Sequence, residues 1–210
     1  MSALKATPVI PLIQAEDPQV AIQTAEALKA GGLTTLEVVL RTDAAMKCMA
    51  AIVDKVDGVT VGAGTVLTPA QANEAADCGA QFIVSPGLNA EVVATSQARG
   101  LEIYPGCMTA SEVQLAWNLG LRTVKFFPAK LAGGVPMLKA FSSVFREMSF
   151  MPTGGVSADN LKSYLELPAV IACGGSWLTP QASIDAGNYD AITTLAREAM
   201  DLARQVRPNI

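Results

Sequence analysis

Short apolar runs recur along the chain about every 20–26 residues, the length of one strand-plus-helix unit. Eight read as strands: Val9–Gln14, Thr35–Leu40, Val59–Gly64, Phe82–Ser85, Glu102–Pro105, Thr123–Phe127, Ser149–Pro152 and Val170–Cys173. Successive rather than alternate positions are apolar, the pattern of parallel strands covered on both faces. Between them the period shifts toward helix. In Pro18–Ala30, Ala21, Ile22, Ala25 and Leu28 share one face. Asp17 before Pro18 predicts an N-cap followed by proline at the first helical position, and Gly31-Gly32 predicts the stop. Thr68-Pro69 and Asn89 open the third and fourth helices, while Gly79, Gly100 and Gly120 close the third, fourth and fifth. Eight such units, without a linker or a shift in composition, predict one closed (β/α)8 barrel over residues 1–210. A lead of residues 1–8 and a frayed tail over Arg204–Ile210 flank it. The alternative is a doubly wound open sheet, but no early GxGxxG supports it.

Two charges break this pattern inside strands. Glu37 sits in Thr-Leu-Glu-Val-Val-Leu and Lys125 in Thr-Val-Lys-Phe-Phe-Pro. An unpaired charge is costly to bury, so each needs a partner or a purpose. A structural Glu–Lys pair would satisfy the first need, but apolar replacements often stabilise a core as well. The functional alternative is chemical. Burial disfavours the ammonium form of a lysine, and the neutral amine attacks carbonyls. Glu37 is a candidate proton carrier. Arg41, just past the second strand, is a candidate neighbouring cation and a bidentate clamp for a carboxylate.

The strand ends supply a second pattern: Gly62-Ala63-Gly64-Thr65, Ser85-Pro86-Gly87, Pro105-Gly106, Pro152-Thr153-Gly154-Gly155 and Gly174-Gly175-Ser176-Trp177. Small residues at the C-terminal ends of barrel strands let backbone amides approach a ligand. The pairs Gly154-Gly155 and Gly174-Gly175 follow strands seven and eight, where barrels often hold phosphate.

Composition narrows the chemistry. The chain has no histidine, which removes Ser–His and Cys–His nucleophile pairs and the commonest transition-metal ligand. Acid–base work falls to Glu, Asp, Lys, Tyr or water. Neither a metal nor another cofactor is expected. A net charge of −4 without a basic stripe argues against nucleic acid. Residues 1–8 lack the apolar core of a signal peptide, and no run approaches a membrane span. Cys48, Cys78, Cys107 and Cys173 are scattered, as expected of thiols in a reducing cytoplasm. Cys107 and Cys173 fall near strand ends and so near the candidate site.

Six ordered segments together resemble the 2-keto-3-deoxy-6-phosphogluconate (KDPG) aldolase family, with its 4-hydroxy-2-oxoglutarate (KHG) aldolase members. They are Thr35–Thr42 (TLEVVLRT), Gly62–Leu67 (GAGTVL), Gly79–Leu88 (GAQFIVSPGL), Lys125–Ala129 (KFFPA), Pro152–Val156 (PTGGV) and Gly174–Leu178 (GGSWL), and the likeness runs from about Val9 to Arg197. The resemblance implies a class I aldolase without metal or cofactor, usually a homotrimer. It assigns Lys125 as the Schiff-base lysine and Glu37 as the general acid/base, working partly through water. It gives Arg41 and Thr65 to the keto-acid carboxylate, Pro86 and Phe127 to the pocket lining, and Thr153 to the substrate hydroxyls. Gly154, Gly155, Gly175 and Ser176 fall to the phosphate. The sequence departs from the family at Cys107-Met108, usually Ile-Ser, at Lys130, commonly Glu, and in lacking most of an N-terminal helix. Rival expectations are the galactonate-epimer aldolase, a phosphate-binding synthase or epimerase, and a barrel that binds a keto acid or sugar phosphate without turnover.

Overall fold

The computed structural model describes Leu4 and residues 7–208. The strands are β1 Val9–Ile13, β2 Thr35–Val39, β3 Thr60–Gly64, β4 Phe82–Ser85, β5 Glu102–Cys107, β6 Thr123–Phe126, β7 Ser149–Pro152 and β8 Cys173–Gly175. The helices are α1 Pro18–Ala30, α2 Ala45–Lys55, α3 Pro69–Asp77, α4 Ala90–Ala98, α5 Ala110–Asn118, α6 Gly134–Val144, α7 Ala158–Leu165, α8 Gln181–Asp185 and α9 Tyr189–Val206. All strand pairs are parallel, in the order β7-β6-β5-β4-β3-β2-β1-β8. Isolated bridges Phe150–Val170 and Thr153–Gly174 join β7 to the β8 segment and complete the ring. The fold is the expected (β/α)8 barrel, not the open sheet.

The expected caps form. The Asp17 carboxylate accepts from the Gln19 and Val20 amides, Thr68 from Gln71, and Asn89 from Glu91 and Val92. At the end of α1, Gly31 keeps a right-handed backbone and Gly32 takes the left-handed conformation (φ 95°) that side chains resist.

Alternation along each strand sorts the side chains into two cores. Val9, Leu36, Val38, Val61, Ala63, Val124, Phe126 and Phe150 pack outward against the helices. Ile10, Phe82, Val84, Tyr104, Met151 and Ala172 fill the barrel with Leu4. By the same alternation Glu37, Gly62, Gly64, Lys125 and Thr153 face inward.

Three places differ from expectation by more than one residue. β5 continues through Gly106 to Cys107. β8 begins at Cys173 and includes both glycines expected to follow the strand. Val170 makes only its bridge to Phe150, whereas Cys173, Gly174 and Gly175 register with Val9, Ile10 and Pro11. A side chain at Gly174 would overlap the Thr153 hydroxyl, so glycine there serves packing inside the sheet. Nor does the chain fray from Arg204. Helix α9 runs to Val206, and the Arg207 guanidinium donates to the carbonyls of Leu165, Val170 and Ile171. The end of the tail and most of the N-terminal lead lie outside the described residues.

Candidate active site

Lys125 and Glu37 meet inside the barrel. Lys125 lies at the centre of β6, registered with Gly106 and Met151, and Glu37 at the centre of β2, registered with Leu12 and Gly62. Lys125 Nζ is 3.5 Å from Glu37 Oε1, with the side chains 4% and 0% exposed. Neither carboxylate oxygen has a hydrogen-bond partner among the described residues. Oε1 is ion-paired with the Lys125 ammonium, and an unpaired buried acceptor would cost about 1–3 kcal/mol, more when charged. The arrangement sets a carboxylate able to carry a proton beside an amine.

One glycine makes room for the pair and a second shapes the wall next to it. A Cβ on Gly64 would overlap Glu37 Oε1 and crowd its Cγ and Cδ at 2.7 and 2.8 Å. The carboxylate therefore lies across the face of β3 that glycine leaves bare. On the lysine side, a Cβ on Gly106 would overlap the Pro86 carbonyl. Glycine there brings the end of β4 against β5, next to Lys125. Both glycines stood among the small strand-end residues in the sequence. Their particular roles did not show there, although the two-residue period puts Gly62 and Gly64 on one face of β3.

The remaining candidates ring the pair. The Phe127 ring centroid is 5.2 Å from Lys125 Nζ, within cation–π range. Arg41 and Thr65 stand together past β2 and β3, where Arg41 Nε donates to Thr65 Oγ1 at 3.2 Å. Thr65 adopts the left-handed backbone (φ 61°) that non-glycine residues rarely take, an arrangement often found at functional sites. The contact Arg41 makes is thus with Thr65, and its guanidinium is solvent-exposed. Thr153 is buried at the end of β7. Its bridge to Gly174 sets Gly154-Gly155 beside Gly175-Ser176, so both glycine pairs share one edge of the mouth. Ser176 is exposed there and opens a short 3-10 turn, Ser176–Leu178, while the Trp177 ring occupies the space beside Gly175.

Cys107 and Cys173 are not part of this group. Both pack in the outer core between sheet and helices. Burial pushes the Cys107 thiol up to about 12, with the Glu112 charge adding to it. Burial also raises the Cys173 thiol, against an opposing effect of Arg207. Among the described residues no cluster of three or more His, Cys, Asp or Glu could hold a metal, and no helix is long and apolar enough to cross a membrane.

Relatives share this whole frame. The sequence profile of the KDPG and KHG aldolases matches residues 1–195. The chain belongs to that family. The KHG/KDPG aldolase of Escherichia coli K12 is 44% identical over 203 residues, 97% of this chain and 95% of that one. The KDPG aldolase of Zymomonas mobilis, solved with 3-phosphoglycerate, superposes with a TM-score of 0.91 at 42% identity, covering 97% of this chain and 96% of its own. The KDPG aldolase of Legionella pneumophila, solved with pyruvate captured as a covalent carbinolamine, gives 0.91 at 41% identity over 94% of this chain and 96% of its own.

Proposed function

We propose that this protein is a class I aldolase that cleaves KDPG to pyruvate and glyceraldehyde 3-phosphate, and also KHG to pyruvate and glyoxylate. The Lys125–Glu37 pair carries the proposal: a buried amine 3.5 Å from a buried carboxylate. Neutral Lys125 attacks the C2 carbonyl of the keto acid. The carbinolamine loses water to give the protonated imine, with Glu37, directly or through a water, moving the protons. Glu37 then takes the C4 hydroxyl proton, the C3–C4 bond breaks, and its electron pair flows into the imine to form an enamine. The aldehyde leaves, C3 is reprotonated, and hydrolysis returns pyruvate and free Lys125. General base catalysis contributes about 10²–10⁴-fold, so loss of Lys125 is more damaging than loss of Glu37, because it removes the covalent route.

The ring of side chains suits the rest of the substrate. Arg41 and Thr65 hold the carboxylate, Pro86 and Phe127 line the pocket, and Thr153 meets the hydroxyls. Gly154, Gly155, Gly175 and Ser176 cradle the phosphate, for which backbone amides at the β7 and β8 ends are apt donors. The protein works in the cytoplasm as a homotrimer; exposed Leu131 and Val144 offer apolar surface for assembly.

Borohydride reduction in the presence of pyruvate tests the mechanism. The expected result is one reduced-pyruvate adduct, mapped by mass spectrometry to Lys125 and absent from Lys125→Met. An adduct elsewhere, or none, overturns it.

A further inference from the structure

Lys130 follows Lys125 by five residues and lies along the β7 end. Its backbone N–H donates to the Gly154 carbonyl at 2.9 Å, and the Ala129 N–H donates to the Thr153 carbonyl at 2.8 Å. The side chain continues the contact. A Cβ on Gly155 would crowd Lys130 Cβ at 2.5 Å and meet its Cδ and Cγ at 3.0 and 3.3 Å. Three consecutive carbons of the stem therefore rest on Gly155, and the ammonium is only two bonds beyond the last of them. Gly155 is doubly constrained, by that stem and by its left-handed backbone (φ 80°).

The charge at the stem's end is unengaged. Lys130 is exposed and joins no ion pair among the described residues. It is also a local exception in an acidic chain of net charge −4. Glu16, Asp17 and Asp185 line the cleft formed by the β1–α1 loop and α8, and Asp43 lies just past Arg41. At the loops of β6 and β7, by contrast, the stem of a lysine rests on Gly155, one of a glycine pair.

We propose that Lys130 is a specificity-determining residue, its ammonium selecting substrates whose aldehyde half ends in phosphate. This rests on the reading of Gly154, Gly155, Gly175 and Ser176 as the phosphate cradle. With its stem on Gly155 the ammonium, two bonds beyond Cδ, can reach a group of charge about −1.5 to −2 bound at the cradle. Arg41 and Lys130 then serve opposite ends of a substrate anionic at both.

The test compares KDPG with its unphosphorylated counterpart, 2-keto-3-deoxygluconate, in the unaltered protein and in Lys130→Met and Lys130→Glu. The readout is the ratio of kcat/KM for the phosphorylated over the unphosphorylated substrate. At low ionic strength Lys130→Met is expected to lower that ratio about three- to tenfold, as suits one partly solvated cation facing a doubly charged group. Lys130→Glu should lower it further, and salt should shrink both effects. A ratio unchanged in Lys130→Met, or equal losses on both substrates, overturns the assignment of Lys130. A wild-type protein with no preference for phosphate would overturn the cradle itself, and the role of Lys130 with it. Wild-type preference retained by both variants refutes Lys130 alone. Thermal melts of the two variants check that an exposed substitution leaves the fold intact.

Discussion

Replacing Gly64 with alanine asks whether the Glu37 carboxylate must lie where it does. Gly64 has no left-handed backbone, so alanine introduces no conformational strain there. What it introduces is one methyl group in space held by Glu37 Oε1, Cγ and Cδ. Van der Waals contact can return only if the carboxylate withdraws by roughly 1 Å, and misplacement of that size near the chemistry costs about 10²-fold in rate. The loss is bounded above by the whole contribution of a general base, about 10²–10⁴-fold. The packing cost of one added methyl in a filled interior is about 1–3 kcal/mol, which in a domain of this size lowers Tm by about 2–4 °C per kcal/mol. The expected variant is thus folded, slightly less stable and about 100-fold slower in kcat. Pyruvate release coupled to lactate dehydrogenase measures the rate, and a thermal melt measures the stability. A double-mutant cycle with Glu37→Ala isolates the cause. If Gly64 acts by seating Glu37, Gly64→Ala should cost almost nothing further once the carboxylate is gone. Wild-type kcat in Gly64→Ala, or the same loss in both backgrounds, refutes the reasoning.

Two more predictions concern the frame. In the capping box of α5, burial raises the Glu112 carboxyl, but hydrogen bonds from the Met108 and Thr109 amides and the Thr109 hydroxyl outweigh it and leave the group below the ordinary glutamate range. A depressed folded-state value means stability that is full above the ordinary range and lost as pH falls through the folded value, so Glu112→Gln should cost about 1 kcal/mol at pH 7. Denaturant melts should show the gap between wild type and variant closing in acid, and a pH-independent gap would contradict the cap. Of the four cysteines only Cys78 is half-exposed; the others are buried, and Cys107 at about 12 would be about one part in 10⁴ thiolate at pH 8. A thiol-reactive chromophore should titrate one group quickly in the native protein and all four after unfolding, whereas rapid reaction of two or more would show the outer core to be open.

The strand–helix alternation was legible because a buried parallel strand and an amphipathic helix have different hydrophobic periods, and the helix caps are local chemistry. The end of the barrel was harder to read. At β8 the apolar run Val170–Cys173 resembles a strand, and Gly174-Gly175 a turn. The ladder forms instead on Cys173–Gly175, because β1 supplies the partners and Thr153 fills the space a side chain would need at Gly174. Arg207 is similar. A basic residue near a terminus looks solvated until the carbonyls of Leu165, Val170 and Ile171 are seen to converge on it. Both depend on contacts between residues far apart in the chain, which no local pattern records.

The candidate site divides along the same line. Glu37 and Lys125 were conspicuous as charges inside apolar runs, but nothing in either run says that they touch. Barrel closure decides that. β2 and β6 are four strands apart around the ring, and in an open sheet that separation would be about 19 Å at 4.8 Å per strand. In a closed ring of eight they face each other across the interior, and the side chains span it to 3.5 Å. The contact is therefore a consequence of topology as much as of the two residues. It also explains the placement of the enabling glycine: Gly64, two residues along β3 from Gly62, the register partner of Glu37, leaves the space its carboxylate takes, while Gly106 registers with Lys125 and admits the Pro86 carbonyl. A long acid and a long base can meet across a filled barrel only where their neighbours give up side-chain volume. The chemistry of the pair and the bareness of the adjacent strands are thus one requirement, met by residues that look unrelated in the sequence.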